Sequence, residues 1–257
     1  MMKKIVICLL VLILTACLRG EDPQVVDTLE VTITPTPAPS NTPTVIWFPP
    51  TDTPAVTPTQ ELTPTPSVMV DLGKVIYEDH FNTSEGWTLP QSSRGLISIG
   101  NGELNIIINE PGTYLSGSRE KPDVGDFYAE ITANPVLCTS RDEYGFLFSV
   151  VGGVQYYSFG LSCSGEVRLE KFDGGGIITL YPWTRNASVP AGAPSVTKLA
   201  VLAIYDEIHI YINGESLLSL EGQQRRYGSF GVYARSVGDT AMTVSFSDLI
   251  VREVIPK

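Results

Sequence analysis

The sequence predicts an all-β protein: an antiparallel two-sheet sandwich of jelly-roll type behind a disordered Pro/Thr-rich stalk. Three observations carry the prediction. From about residue 70 onward, short runs of β-branched and aromatic residues are split by Gly, Asn, Asp and Pro. Asn101-Gly102 and Asn213-Gly214 each sit between such runs, and Asn-Gly is the pair whose two residues both accept the positive φ of a tight hairpin. Before residue 70, Thr34 to Pro66 contains ten prolines and ten threonines. Proline removes backbone donors and fixes φ, so that tract forms neither helix nor sheet.

The elements follow in chain order. Lys3 and Lys4 precede ten uncharged apolar residues, Ile5 to Leu14. Ten residues of helix reach about 15 Å, half of a ~30 Å hydrocarbon core, too short to span a bilayer. This is the layout of an export signal. The next residues, Leu14-Thr15-Ala16-Cys17, resemble the lipobox of bacterial lipoproteins: an aliphatic residue, two small ones, then the cysteine that takes the lipid. The resemblance implies cleavage before Cys17, lipid on Cys17, and a location outside the cytoplasm, anchored to the cell membrane or envelope. Residues 1–16 are then signal, 17–69 stalk and 70–257 one domain. Extended in a polyproline-like form, the thirty-three residues from Thr34 to Pro66 reach on the order of 100 Å. One apolar stretch, Val45-Ile46-Trp47-Phe48, interrupts it.

Cysteine usage agrees with export. Of four cysteines, Cys8 leaves with the signal and Cys17 is lipidated. Cys138 and Cys163 remain, a pair expected to bridge neighbouring strands in an oxidising compartment; the alternative is two buried thiols. No Cys-x-x-Cys or Cys/His cluster of zinc spacing occurs. The formal charge of −11 repels phosphate backbones, so no nucleic-acid partner is expected. It also disfavours electrostatic binding to anionic lipid, leaving the N-terminal lipid as the sole membrane contact. Nothing in the sequence sets the oligomeric state.

Thirteen strands are predicted in the domain: 75–80, 96–99, 103–108, 113–116, 127–133, 144–151, 155–163, 167–172, 198–205, 207–212, 215–221, 228–234 and 242–251. No window has a helical period. So many antiparallel strands in one domain form two packed sheets.

The runs also resemble a known family. Glu78-Asp79-His80-Phe81 with Ser84-Glu85-Gly86-Trp87 is similar to the opening of concanavalin A-like lectin/glucanase domains. Tyr144-Gly145-Phe146-Leu147-Phe148, Tyr156-Tyr157-Ser158-Phe159 and Ile208-His209-Ile210-Tyr211-Ile212-Asn213-Gly214 resemble their central strands. Gly228-Ser229-Phe230-Gly231-Val232-Tyr233-Ala234 and Val244-Ser245-Phe246-Ser247-Asp248-Leu249 resemble their end. The likeness spans about 75–251 and is nearest to the laminin-G-like and 3-keto-disaccharide-hydrolase-type branches. These motifs are signatures of strands and turns, so they speak to fold rather than activity.

Family members that cut β-glucans carry Glu-x-Asp-x-x-Glu on one strand face, where the acids do the chemistry. No glutamate here has an aspartate two residues on. Asp142-Glu143 and Asp206-Glu207 read as solvated turn charges. His80 and His209 have no recognisable catalytic partner, and no nucleophile elbow or phosphate loop occurs. Glu78, Asp79 and Asp248 are oxygen ligands of the kind calcium takes, yet a turn aspartate and strand-edge charges explain them better, and neither metal nor cofactor is assigned.

Aromatic alternation remains. With Tyr157, Phe159 and Leu161 inward, Tyr156 faces out. With Ile208, Ile210 and Ile212 inward, His209, Tyr211 and Asn213 face out. With Val232 and Ala234 inward, Tyr233 and Arg235 face out. Flat rings with polar rims suit sugar faces, although exposed tyrosines also serve as cross-strand pairs. The expectation is a non-catalytic glycan-binding or adhesion module using Tyr156, His209, Tyr211, Asn213, Tyr233 and Arg235 on one face. The alternatives are a glycan-active hydrolase of the 3-keto-disaccharide-hydrolase type, or a purely structural or protein-binding envelope module.

Overall fold

Within a computed structural model of the chain, residues 70–257 are described; the signal, Cys17 and the Pro/Thr tract lie outside the described residues. All regular elements there are strands: β1 (Val70–Asp79), β2 (Trp87–Thr88), β3 (Gln91–Ser92), β4 (Gly95–Gly100), β5 (Glu103–Ile108), β6 (Tyr114–Arg119), β7 (Phe127–Leu137), β8 (Glu143–Val151), β9 (Gln155–Ser162), β10 (Glu166–Phe172), β11 (Ile177–Arg185), β12 (Thr197–Ile204), β13 (Glu207–Ile212), β14 (Glu215–Leu220), β15 (Ser229–Arg235) and β16 (Met242–Pro256).

They form two antiparallel sheets. The nine-stranded sheet runs β14-β13-β12-β7-β16-β5-β4-β3, with β1 also on β16; the seven-stranded sheet runs β11-β10-β9-β8-β15-β6-β2. All thirteen predicted strands are present. Asn101 and Gly102 have φ of 57° and 79°, Asn213 and Gly214 of 52° and 85°, so both Asn-Gly pairs make the mirror-image hairpin turns expected of them. Beyond the thirteen, the sheets contain the two-residue β2 and β3, and β11. Pro182 and the glycines of 174–176 mask β11 in the sequence. Among the described residues it pairs only with β10, and an edge is where a strand tolerates proline.

Strand β16 is long because it serves two neighbours on one side. Met242 to Phe246 pair with β5, while Leu249 to Pro256 pair with β1. The change falls at Asp248, whose φ is 53°, and the ladder to β7 slips between Ser247 and Ile250. That is the geometry of a bulge bending a strand between partners.

Alternation fills the core. In β7 every second residue from Phe127 to Pro135 is buried. Phe127 of the nine-stranded sheet meets Phe230 edge-on at 5.1 Å, and Phe230 stacks on Phe146 at 5.7 Å. Burying each such side chain contributes about 2–3 kcal/mol. The bridge is formed between Cys138 and Cys163, with Cα atoms 6.1 Å apart. It does not join neighbouring strands. Cys138 follows β7 and Cys163 follows β9, so it ties one sheet to the other.

At the end of β1, the Asp79 carboxylate accepts four hydrogen bonds: Tyr77 Oη (2.7 Å), Trp87 Nε1 (2.9 Å), Arg119 Nη1 (2.8 Å) and Phe81 N (2.8 Å). Burial opposes its ionisation, but these donors outweigh burial and hold the pKa below the ordinary value. Asp79 thus fastens the end of β1 rather than presenting a free oxygen ligand.

Candidate functional site

The outward side chains of the seven-stranded sheet build the site. Ladder pairing places them in transverse rows. One runs Ser162 (β9), Glu143 (β8), Arg235 (β15), Tyr114 (β6). The next runs Arg168, Gly160, Gly145, Tyr233, Ser116, and a third Glu170, Ser158, Leu147, Gly231, Ser118.

The middle row explains the hollow. Tyr233 points outward and folds flat over the glycines beside it. A Cβ on Gly160 would overlap the Tyr233 hydroxyl, and one on Gly145 would overlap the Phe159 carbonyl and come 2.8 Å from the Tyr233 ring. Tyr114 packs on Tyr233 at 5.6 Å between ring centroids. Tyr233 is consequently 3% exposed, and burial raises its pKa. On the far side, Trp183 of β11 lies over the Arg168 guanidinium, 4.5 Å from ring centroid to Cζ. Tyr156 and Phe172 pair at 5.2 Å.

These groups enclose a cavity of about 310 Å³ lined by Gly112, Tyr114, Glu143, Tyr156, Ser158, Arg168, Glu170, Phe172, Ile177 and Arg235. Its polar centre is a Glu–Arg–Glu chain: Arg168 Nη2 donates to Glu143 at 2.9 Å, and Arg168 Nη1 lies 3.1 Å from Glu170. Burial raises the Glu143 pKa, Arg168 and Arg235 pull it back, and Glu170 adds to the rise. The cavity therefore offers apolar ring faces beside oriented charged donors and acceptors.

The six residues expected to share a face divide between sheets. Tyr156 and Arg235 line the cavity, and Tyr233 lies against their sheet. His209 and Tyr211 are on β13 of the nine-stranded sheet, and Asn213 is in the turn that follows. They do not form one site with the others. His209 is buried, with Nδ1 2.6 Å from Ser219 Oγ and Nε2 3.0 Å from Glu207. Asn213 holds its hairpin, its Oδ1 accepting from Lys198 N at 2.9 Å. Alternation within a strand gives direction, not sheet membership.

Asp142 and Glu143 are not solvated turn charges: their exposures are 0% and 4%. Asp142 accepts from the backbone of Thr139, Val237 and Gly238 at 2.8–3.0 Å, pinning two loops. Glu143 faces the cavity. Glu143, Arg168, Glu170, Phe172, Trp183 and Tyr114 are site groups that sequence reading did not select. A signal existed in β10, where Glu166, Arg168, Glu170 and Phe172 alternate with Val167 and Leu169, placing charges on one face of a strand.

No family model matches the chain, and no curated protein matches it in sequence. Solved structures do. It is similar to carbohydrate-binding module CBM66 from Bacillus subtilis (TM-score 0.52, 16% identity, 65% of this chain and 96% of that one). It is also similar to a Bacillus subtilis protein with a galectin-like fold (0.56, 12%, 74% and 100%). A third is the catalytic domain of an endo-1,3-beta-glucanase from Thermotoga petrophila (0.52, 12%, 72% and 99%). The fold is the concanavalin A-like jelly roll.

Proposed function

We propose that this protein binds glycan without cleaving it, on the outer face of the seven-stranded sheet, and is held to the outside of a bacterial membrane by lipid on Cys17. The observation that carries the binding reading is the cavity where Tyr114, Tyr156 and Phe172 stand beside the Glu143–Arg168–Glu170 chain. A sugar ring has C–H patches on its faces and hydroxyls on its rim. Aromatic faces cover the first, and charged, pre-oriented donors and acceptors pair with the second at strengths above neutral hydrogen bonds. Arg168 is fixed by two carboxylates and an indole, so little ordering remains to be done on binding. The likeness in fold to a carbohydrate-binding module supports the same reading.

Hydrolysis is the second reading, favoured by one observation: Glu143 is a buried cleft carboxyl with a raised pKa, a property of general acids. Against it, Arg168 bonds both carboxylates. The test is calorimetric titration of the full chain against a panel of plant and microbial glycans, with reducing-sugar release assayed in parallel. Binding without release is expected, and Tyr156→Ala should weaken it about ten-fold. Affinity that survives Tyr156→Ala would remove the site; sugar release lost in Glu143→Gln would convert the module into a hydrolase. Mass spectrometry of the mature N-terminus tests the anchor: an unmodified residue there would refute it.

A further inference from the structure

A second cavity, of about 300 Å³, adjoins the first; the two share Tyr156 and Phe172 as a common wall. Its lining includes Gln155, Tyr157, Lys171, Gln224 and Arg226. Each cavity is at the small end of the ~300–1,000 Å³ range of ligand pockets, while the pair offers a continuous groove with an aromatic ridge in the middle.

Charge distinguishes this groove from the rest of the surface. Residues 70–257 contain fourteen Lys and Arg side chains, and nine of them pair with described carboxylates. Among the other five, Arg185, Arg252 and Lys171 donate to backbone carbonyls. Three of the five, Lys171, Arg226 and Arg235, line the two cavities. The acids present are engaged: Glu143 and Glu170 hold Arg168, and Asp173 accepts from Gly175 N at 3.1 Å. In a chain of net charge −11, the groove thus gathers three cations that make no salt bridge, Arg235 lying beside a Glu143 that is already bonded to Arg168.

We propose that the groove takes an acidic glycan, spanning both cavities across the Tyr156–Phe172 ridge, with anionic substituents, carboxylate or sulfate, paired to Arg226 and Lys171 at one end and Arg235 at the other. This rests on the glycan-binding reading and adds the class of sugar. A planar guanidinium receives carboxylate or sulfate oxygens through two parallel hydrogen bonds. The negative field of the remaining surface repels polyanions that do not find the groove, so such binding is specific to it.

The experiment uses matched polymers that differ only in charge: polygalacturonate against its fully methyl-esterified form, and dextran sulfate against dextran, titrated into the full chain. One acidic member, at least, is expected to bind about ten-fold or more tighter than its neutral counterpart, with the advantage shrinking as salt rises. The first pair winning identifies a uronate carboxylate, the second a sulfate. Arg226→Gln and Arg235→Gln, combined, should erase the advantage while leaving the thermal midpoint in place; Lys171→Gln is the second variant, because its Nζ also donates to Gln224 O at 3.3 Å. Equal binding of charged and neutral members, or an advantage unchanged in these variants, overturns the inference. If neutral glycans bind through Tyr156 and charge adds nothing, the glycan reading stands and this one falls. If no polymer or panel glycan binds, both fall.

Discussion

The outward faces of the two sheets are built from similar residues and end in different states. On the nine-stranded sheet, polar side chains spend their bonds on each other: His209 with Ser219 and Glu207, Tyr128 with Glu130, Lys198 with Glu130. On the seven-stranded sheet, glycines at 145 and 160 let Tyr233 lie down. The taller side chains around it, Tyr114, Tyr156, Phe172 and Trp183, then stand over a hollow. A sheet face becomes a site when small residues in its middle lower the floor, not when aromatic residues are merely present.

The largest effect expected from this contrast is at that floor. Gly145→Ala sets a methyl group against the Phe159 carbonyl and the Tyr233 ring, and should cost about 3 kcal/mol of stability, roughly 10 °C in thermal midpoint for a domain of this size. Differential scanning calorimetry reads it; a shift near zero would mean the face rearranges freely and the hollow is not fixed by its glycines.

Smaller is the effect on the opposite face. His209→Ala removes the partner of Ser219 and Glu207 and should cost about 1–2 kcal/mol, while glycan affinity stays within about two-fold because the mutated group is on the other sheet. Urea denaturation and calorimetric titration of the same variant separate the two. A large loss of affinity would put ligand on the nine-stranded sheet and end the contrast.

Smallest is a pH effect at Glu143. Its folded-state pKa is raised above the usual 4.5, so the folded protein holds this proton at pH values where the unfolded chain has released it. The contribution to stability is then fully present below about pH 4.5 and is lost as pH climbs through the folded value. Glu143→Gln should flatten that decline between pH 4.5 and neutrality, measured by denaturant titration at stepped pH. A decline of wild-type steepness would assign it to another group.

These contrasts also mark what the sequence could and could not convey. Inward and outward directions in β9, β13 and β15 follow from local alternation and are as expected for Tyr156, His209, Tyr211 and Tyr233. Their division between sheets depends on long-range pairing, since the chain passes from one sheet to the other after β7, again after β11 and once more after β14. No local pattern encodes that. Asp142-Glu143 shows the same limit: adjacent acids before an apolar run resemble an exposed turn, and only the packing of the Val237–Gly238 loop onto Asp142 buries them. Strand β11 escaped notice for a local reason, because Pro182 is tolerated only through its edge position, which the sequence does not state.

The pairing of β1 with β16 has a mechanical consequence. Val70 is opposite Pro256, and the ladder continues to Asp79 opposite Leu249. A force drawing Val70 outward along its own strand cannot detach one rung at a time; it loads the rungs together, in shear. At the inner end, Asp79 is hooked to Trp87 and Arg119, so the strand cannot slide until those bonds break as well. Tension applied from the N-terminal side of the domain is therefore borne by the whole β1–β16 ladder at once.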